Sequence, residues 1–360
     1  MDTRVADDLA RYLHKFERLI DPKRESRIAA LYRQVFAWQE PPVLPFVWED
    51  WGEVPPVPDA DWPEYSYNDA FEDPGMMLLN ELRGPFLHYQ LGDHHPLAIR
   101  ANYGTVILSN ILGGPYQLTE TSLPWAHPLP GGVDDIRRLV ERGLPDLRTG
   151  LGARCLDTAA FYRETLSDYP ALAAAVEIYH PDLQGPFDIA HLLWGSEIFF
   201  ALYDEPELAH SLLDLVTDTY VVWLSHWYDK MGARADLSTH WSMMMRGGAM
   251  LRNDTAIMLS AEHYRTFVRP YDQRILDTFG GCIHFCGRGA SFVADMVQSR
   301  NLYGLHVSEP ELNDMDTIWR LCRERKLVLL SIPEAYLAPG TATGVTVLRS
   351  WQDAQRPQTE

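Results

Sequence analysis

Residues 280–291 read Gly-Gly-Cys-Ile-His-Phe-Cys-Gly-Arg-Gly-Ala-Ser. If Cys282 to Cys286 is a β-strand, its period of two sends Cys282, His284 and Cys286 to one face and Ile283 and Phe285 to the other. One face is then apolar, and the other carries two sulfurs and an imidazole. Gly287 and Gly289 bracket Arg288, so the backbone can turn sharply there and approach a ligand closely. A His-x-Cys pair at a strand end offers a nitrogen and a thiolate to one divalent ion, and zinc suits that mixed set best. Without context such a strand is more often ordinary core, so the neighbouring sequence carries the decision.

Upstream, the strand is fed by an amphipathic helix with Ser260 as N-cap and Glu262 in its first turn. Its stripe is Tyr264, Phe267, Val268, Tyr271, Ile275 and Phe279, ending at Gly280. Earlier come a strand at 176–180, a long helix at 204–228 capped by Asp204, and a strand at 237–243 leading into a loop through Gly247, Gly248 and Asp254. Downstream, a helix at 291–298, a strand at 303–308, a helix at 313–326 and a strand at 327–331 follow. Strands alternating with helices argue for a parallel sheet. With further strands expected at 44–48, 97–103 and between 113 and 120, the count reaches the eight of a (β/α)8 TIM barrel, an α/β fold. No Gly-x-Gly-x-x-Gly follows any strand, which disfavours a dinucleotide fold. Residues 1–75 read as an N-terminal extension: two helices over 5–38 parted at Pro22, then a Pro- and Trp-rich wrap at 40–73. Residues 76–355 are expected to form the barrel, and the tail past Trp351 is polar and expected to fray.

The chain has 360 residues, 46% hydrophobic and 22% charged, an ordinary globular balance. Its 50 acidic and 31 basic residues give a formal charge of −19, which argues against nucleic acid as a partner because phosphate must be neutralised by Lys and Arg. No stretch approaches the roughly 20 apolar residues of a membrane span, and residues 1–18 lack the apolar run of a signal peptide. Four cysteines form no disulfide framework and fit a reducing cytoplasm. Cys155, Cys282 and Cys322 read as core.

In a barrel the chemistry sits at the C-terminal ends of the strands. There the sequence places Asn102 and Tyr103; His180, Asp182 and Gln184; His240, Arg246, Arg252 and Asp254; His284, Cys286 and Arg288; and Glu309. Asp254 and His240 are the candidate catalytic groups, while Asn102, Tyr103, His180, Asp182, Gln184, Arg252 and Arg288 are candidate substrate contacts. Bland readings stand beside these: Asn253-Asp254-Thr255 is good turn chemistry, His180 and Asp182 can satisfy loop amides, and His240 can be a hydrogen-bonded core histidine. Glu309 lies one helix and one strand beyond Cys286, so a barrel brings it to the neighbouring strand end. With His284 and Cys286 it would complete a nitrogen, sulfur, oxygen set for a metal, leaving zinc a fourth position for substrate.

Four stretches resemble the uroporphyrinogen decarboxylase superfamily, which includes the cobalamin-dependent and coenzyme M methyltransferases. They are His-Pro-Asp-Leu-Gln-Gly-Pro-Phe-Asp-Ile-Ala at 180–190, Leu-Tyr-Asp-Glu-Pro-Glu-Leu at 202–208, Leu-Ser-Ala-Glu-His-Tyr-Arg-Thr-Phe-Val-Arg-Pro-Tyr at 259–271 and Ile-His-Phe-Cys-Gly at 283–287. The resemblance implies a (β/α)8 barrel. Residues 31–35 and 103–110 lack the Arg-rich glycine motif and the Phe-Ser-Asp segment of true decarboxylases, so the methyltransferase branch is the nearer one. In that branch the resemblance implies zinc on a His-x-Cys pair, matched by His284 and Cys286, plus a later cysteine on the last strand. Here Ser331 stands in that region and no cysteine follows Cys322. Either Glu309 takes that place or the metal is weak or absent. The resemblance thus implies a zinc-dependent methyltransferase that activates a thiol or similar acceptor, with a corrinoid protein or a small methylated compound as donor. The alternatives are a metal-independent carboxy-lyase gripping a polycarboxylate with Arg246, Arg252 and Arg288, and a non-catalytic corrinoid or tetrapyrrole binder. A small-molecule substrate is expected in each case, and a homodimer is compatible with all three.

Overall fold

The computed structural model describes residues 2–49, 55–119, 123–232 and 236–354, so residues 50–54 of the Pro- and Trp-rich wrap and the tail from 355 lie outside the described residues. The strands in chain order are β1 (Phe46–Trp48), β2 (Ala98–Ile99), β3 (Tyr116–Gln117), β4 (Trp125–Ala126), β5 (Glu177–Ile178), β6 (Leu237–His240), β7 (Met243–Arg246), β8 (Ala249–Arg252), β9 (Gly281–Phe285), β10 (Leu302–Val307), β11 (Val328–Pro333) and β12 (Val345–Arg349). Six of them form a parallel sheet in the order β1-β12-β11-β10-β9-β8, and β2 pairs with β5, also in parallel. Backbone hydrogen bonds join the two sheets at both edges. His94 N donates to Phe46 O at 2.9 Å, and Gly185 N donates to Arg252 O at 2.8 Å. The wall is therefore an eight-stranded ring, the (β/α)8 barrel. A Cβ at position 185 would lie 2.5 Å from that same Arg252 oxygen, so glycine is what lets the segment after β5 close onto β8.

Alternation along these strands sorts their side chains. Ala249, Leu251, Ile283, Phe285, Leu305, Val307 and Leu329 face outward into the main core shared with the helices. The intervening positions face the lumen, where the strand register stacks them in layers. Met250, Cys282, Gly304 and Val328 lie level, and Arg252, His284, His306 and Leu330 form the next layer toward the strand C-termini. Met250, Cys282 and Val328 belong to a second apolar cluster with Met243, Met244 and Met245, and with Ile28, Tyr32 and Val35 of the helix Arg24–Phe36. Each such side chain contributes on the order of 1.5–3 kcal/mol by leaving water. That apolar stopper leaves polar chemistry to the C-terminal end of the lumen.

Several elements differ from the sequence expectation. The strand expected between 113 and 120 is β3, which pairs antiparallel with β4 in a separate two-stranded sheet. The strand expected at 237–243 is β6, one arm of an antiparallel hairpin with β7. The hairpin packs into the lumen beside β5: the Thr239 hydroxyl donates to Glu177 Oε2 at 2.6 Å, and the Ser238 hydroxyl donates to Gly247 O, just past β7, at 2.5 Å. The wall strand here is β8, in the segment expected to be loop, and β12 supplies the remaining one. The long helix begins at Pro206 rather than Asp204, because proline's fixed φ suits the first helical turn. The helix after Ser260 is two, Ala261–Phe267 and Arg269–Phe279, divided at Val268 just before Pro270. An 18-residue helix, Pro74–Leu91, fills a stretch that periodicity leaves unassigned, and Phe16 of the helix Thr3–Glu17 meets its Phe86 edge-on at 5.3 Å. Among the described residues no helix is long and apolar enough to cross a membrane.

Candidate active site

Two residues beyond Arg252 and His284 the same inward parity brings Asp254 and Cys286 to the mouth. His284 Nε2 stands 3.1 Å from Asp254 Oδ1 and 3.2 Å from Cys286 Sγ. Donor atoms of Asp254, His284 and Cys286 all lie within 4.8 Å of one another. Asp254 is held by its surroundings rather than by its own strand. Cys286 N donates to its Oδ1 at 3.1 Å, and Arg252 Nη2 lies 3.2 Å from its Oδ2. The buried Asp188 carboxylate accepts the Asp254 and Thr255 amides at 2.9 and 2.7 Å. Burial works to raise the Asp254 carboxyl, but His284 and Arg252 outweigh it and hold the group below its ordinary range. Burial and then the Asp254 charge push the Cys286 thiol up to about 11, so it is protonated until a cation takes its proton's place.

A second polar group adjoins the first. Asp182 faces Arg100 Nη1 at 2.6 Å, Trp241 Nε1 at 3.1 Å, and Arg252 Nη1 and His240 Nε2 at 3.4 Å each. Burial would raise the Asp182 carboxyl, yet the Arg100 charge, joined by Arg252, holds it well below the carboxylate range. Arg100 Nε, Arg252 Nε, both ring nitrogens of His240, His180 Nε2 and Gln184 Oε1 are buried without a hydrogen-bond partner. His180 Nδ1 is 2.9 Å from Pro181 O, which can only accept, so Nδ1 carries the proton and Nε2 is a bare acceptor. Buried polar atoms left over in this way mark where ligand or ordered water belongs. Ring contacts link the two groups: His180 to His240 at 5.2 Å, His240 to Trp241 at 4.5 Å, and Trp241 to His284 at 5.0 Å. Trp241 sits at the hairpin turn with φ 52°, a strained value for a bulky residue and of a kind that gathers at working sites.

The remaining candidates lie elsewhere. Asn102 donates to Glu81 Oε1 at 2.8 Å, one step from Arg100, whereas the buried Tyr103 bonds Thr158 at 2.7 Å among the helices. Ile99, Ala101 and Tyr103 share the outward parity, so the lumen residue of this segment is Arg100. Glu309 Oε2 accepts from Gly287 N at 2.5 Å, tying the turn after Cys286; the carboxylate beside His284 and Cys286 is that of Asp254. Arg288 is exposed. Arg246 lies at the other end of the hairpin, over the Tyr303 ring at 4.2 Å, so the three arginines expected to grip a polycarboxylate do not converge. Cys155, Cys282 and Cys322 are buried. Sequence reasoning passed over Arg100, Asp188 and His306; for His306 the signal was parity, since it stands level with His284 on the next strand.

Residues 182–326 match the family model described as Uroporphyrinogen decarboxylase (URO-D), a span that holds every residue of both groups except Arg100 and His180. Among solved structures, a methyltransferase from Methanosarcina mazei is similar over 91% of this chain and 92% of that one, with TM-score 0.61 and 14% identity, a likeness of fold. No curated protein matches the sequence. Over residues 182–326 the chain is thus similar to the uroporphyrinogen decarboxylase family model, and it shares its barrel fold with a methyltransferase of known structure.

Proposed function

We propose that the chain is a methyltransferase of this superfamily, with zinc held by His284 Nε2, Cys286 Sγ and Asp254. The observation that carries the reading is the convergence of those three donors at the strand C-termini. Their separations of 3.1 and 3.2 Å approach the roughly 3.3–3.6 Å edges of a tetrahedron with Zn–N near 2.0 Å and Zn–S near 2.3 Å. Asp254, rather than the Glu309 of the sequence expectation, is the third ligand in this reading. Zinc bound there would supply the Lewis acidity that turns an acceptor thiol into a thiolate at neutral pH.

The chain's own residues account for the rest. Arg252 bridges Asp182 and Asp254, so one guanidinium fixes both walls of the chamber. His180 Nε2 accepts a hydrogen from a polar group of the substrate, and His240 and Arg100 offer their unmatched atoms beside it. Trp241 forms the partition against which the acceptor chain lies. The acceptor sulfur uses a lone pair to form the S–CH3 bond as the methyl group's bond to its donor, a corrinoid protein or a small methylated compound, breaks with the electron pair staying on the donor, and the thiol proton leaves to solvent. The polycarboxylate-gripping lyase loses support because Arg246 and Arg288 stand apart from Arg252. Incubating zinc-loaded protein with methylcobalamin and a panel of small thiols tests this: loss of the methylcobalamin absorbance with thioether formation, abolished in Asp254→Asn, is expected. Carbon dioxide release from a carboxylated tetrapyrrole without any methyl transfer would overturn it.

A further inference from the structure

His284 and His306 face the lumen from neighbouring strands in matched register. Their rings stack at 4.9 Å and 28°, and Nδ1 of one lies 2.7 Å from Nδ1 of the other. Two imidazole nitrogens this close share a single proton, one donating and the other accepting. The far nitrogen of His284, Nε2, is the atom aimed at Asp254 and Cys286. The pair therefore has two proton arrangements. In one, His306 Nδ1–H donates to His284 Nδ1, and His284 carries its proton on Nε2, facing the Asp254 carboxylate. In the other, His284 Nδ1–H donates to His306 Nδ1, and His284 Nε2 presents a bare lone pair to the mouth.

We propose that His306 is a positioning residue: by accepting the His284 Nδ1 proton it fixes the ring and the tautomer in which Nε2 can ligate a metal. The inference rests on the metal reading of Asp254, His284 and Cys286. Passing between the arrangements balances: the proton on His284 Nε2 leaves to solvent, the proton on His306 Nδ1 crosses the 2.7 Å contact, and His306 takes up one at Nε2. His306 is part-exposed, so solvent reaches it. Partners of this kind that orient a ligating histidine typically govern affinity 10–100-fold. Among the described residues in that layer, His306 is the neighbour that can accept from His284 Nδ1, because the neighbour on the other side, Arg252, is a donor.

Zinc titration of the full chain, read by competition with a chromophoric chelator, tests this with three variants. His306→Phe keeps a ring but no acceptor, His306→Ala serves if the phenylalanine variant does not fold, and His306→Asn places an oxygen where Nδ1 stood. Zinc binding weakened roughly 10–100-fold in His306→Phe or His306→Ala, and largely restored in His306→Asn, is the expected result. In zinc-loaded wild type, ¹⁵N-histidine spectra should show the proton on His284 Nδ1 and a bare His306 Nδ1. Wild-type affinity in the Phe or Ala variants, or a proton found on His306 Nδ1 in the loaded protein, overturns the inference alone. A wild type that takes up no zinc overturns the metal reading and this inference with it.

Discussion

Asp188 touches no substrate position, yet both its oxygens are spent on the amides of the turn that carries Asp254. Asn at 188 could accept only one of the two and would set an NH2 against the other. Asp188→Asn should therefore cost roughly 1–3 kcal/mol in denaturant unfolding and weaken zinc uptake through a displaced Asp254. Unchanged values in both would refute the role. Asp272 is a second buried carboxyl, bonded to Asn253 Nδ2 at 2.7 Å, and burial pushes it up to about 7. The unfolded group ionises near 3.9, so the unfolded chain releases this proton first and stability falls as pH rises from about 4 to about 7, then levels. Asp272→Asn should remove that slope and leave the variant the more stable at pH 8, which unfolding at pH 4, 6 and 8 would show. At this scale the sequence was half legible. Period two placed His284 and Cys286 on one face, and the same rule applied to β10, with Val307 outward, gives His306 and Ser308 rather than Glu309 as the inward positions. Arg100 is hidden because the expected strand runs on to Tyr103, whereas β2 ends at Ile99 and the inward position just past it is Arg100.

The elements that build the mouth are short, which decides how they are read. β2 and β5 have two residues each, and β8 is Ala-Met-Leu-Arg between a glycine pair and Asn-Asp, flanks that look like turn chemistry. Longer β9 and β10 stood out because their alternation runs over five and six residues. Leu237 to Met243 is strand-like in composition and so reads as a wall strand; only tertiary packing turns it back as β6, one arm of a hairpin in the lumen. Close approach of β8 and β9 yields a test. A Cβ on Gly281 would stand 1.9 Å from Ala249 O, so backbone must move to admit it. Gly281→Ala should destabilise by at least the roughly 1–3 kcal/mol of overpacking, seen as a lowered Tm. A variant as stable as wild type would mean that β8 and β9 do not meet as described.

At the scale of the whole molecule, alternation of strand and helix was enough to give the barrel, because eight wall strands exist even though two were assigned to the wrong segments. What the pattern could not give was closure. That depends on two backbone bonds, at Phe46 and Arg252, whose partners are loop residues with no periodic signal. Closure is also what sets Arg252, at the end of β8, against Asp182, which follows β5 and faces Arg100 of the neighbouring β2 segment. Methyl transfer by this chain requires that the mouth hold a metal. Metal analysis by mass spectrometry of protein loaded with zinc and then desalted, for wild type and His284→Ala side by side with a fold check by circular dichroism, tests that most directly. About one zinc per wild-type chain and little in the variant is the predicted result; a fully folded wild type that retains no zinc would contradict it.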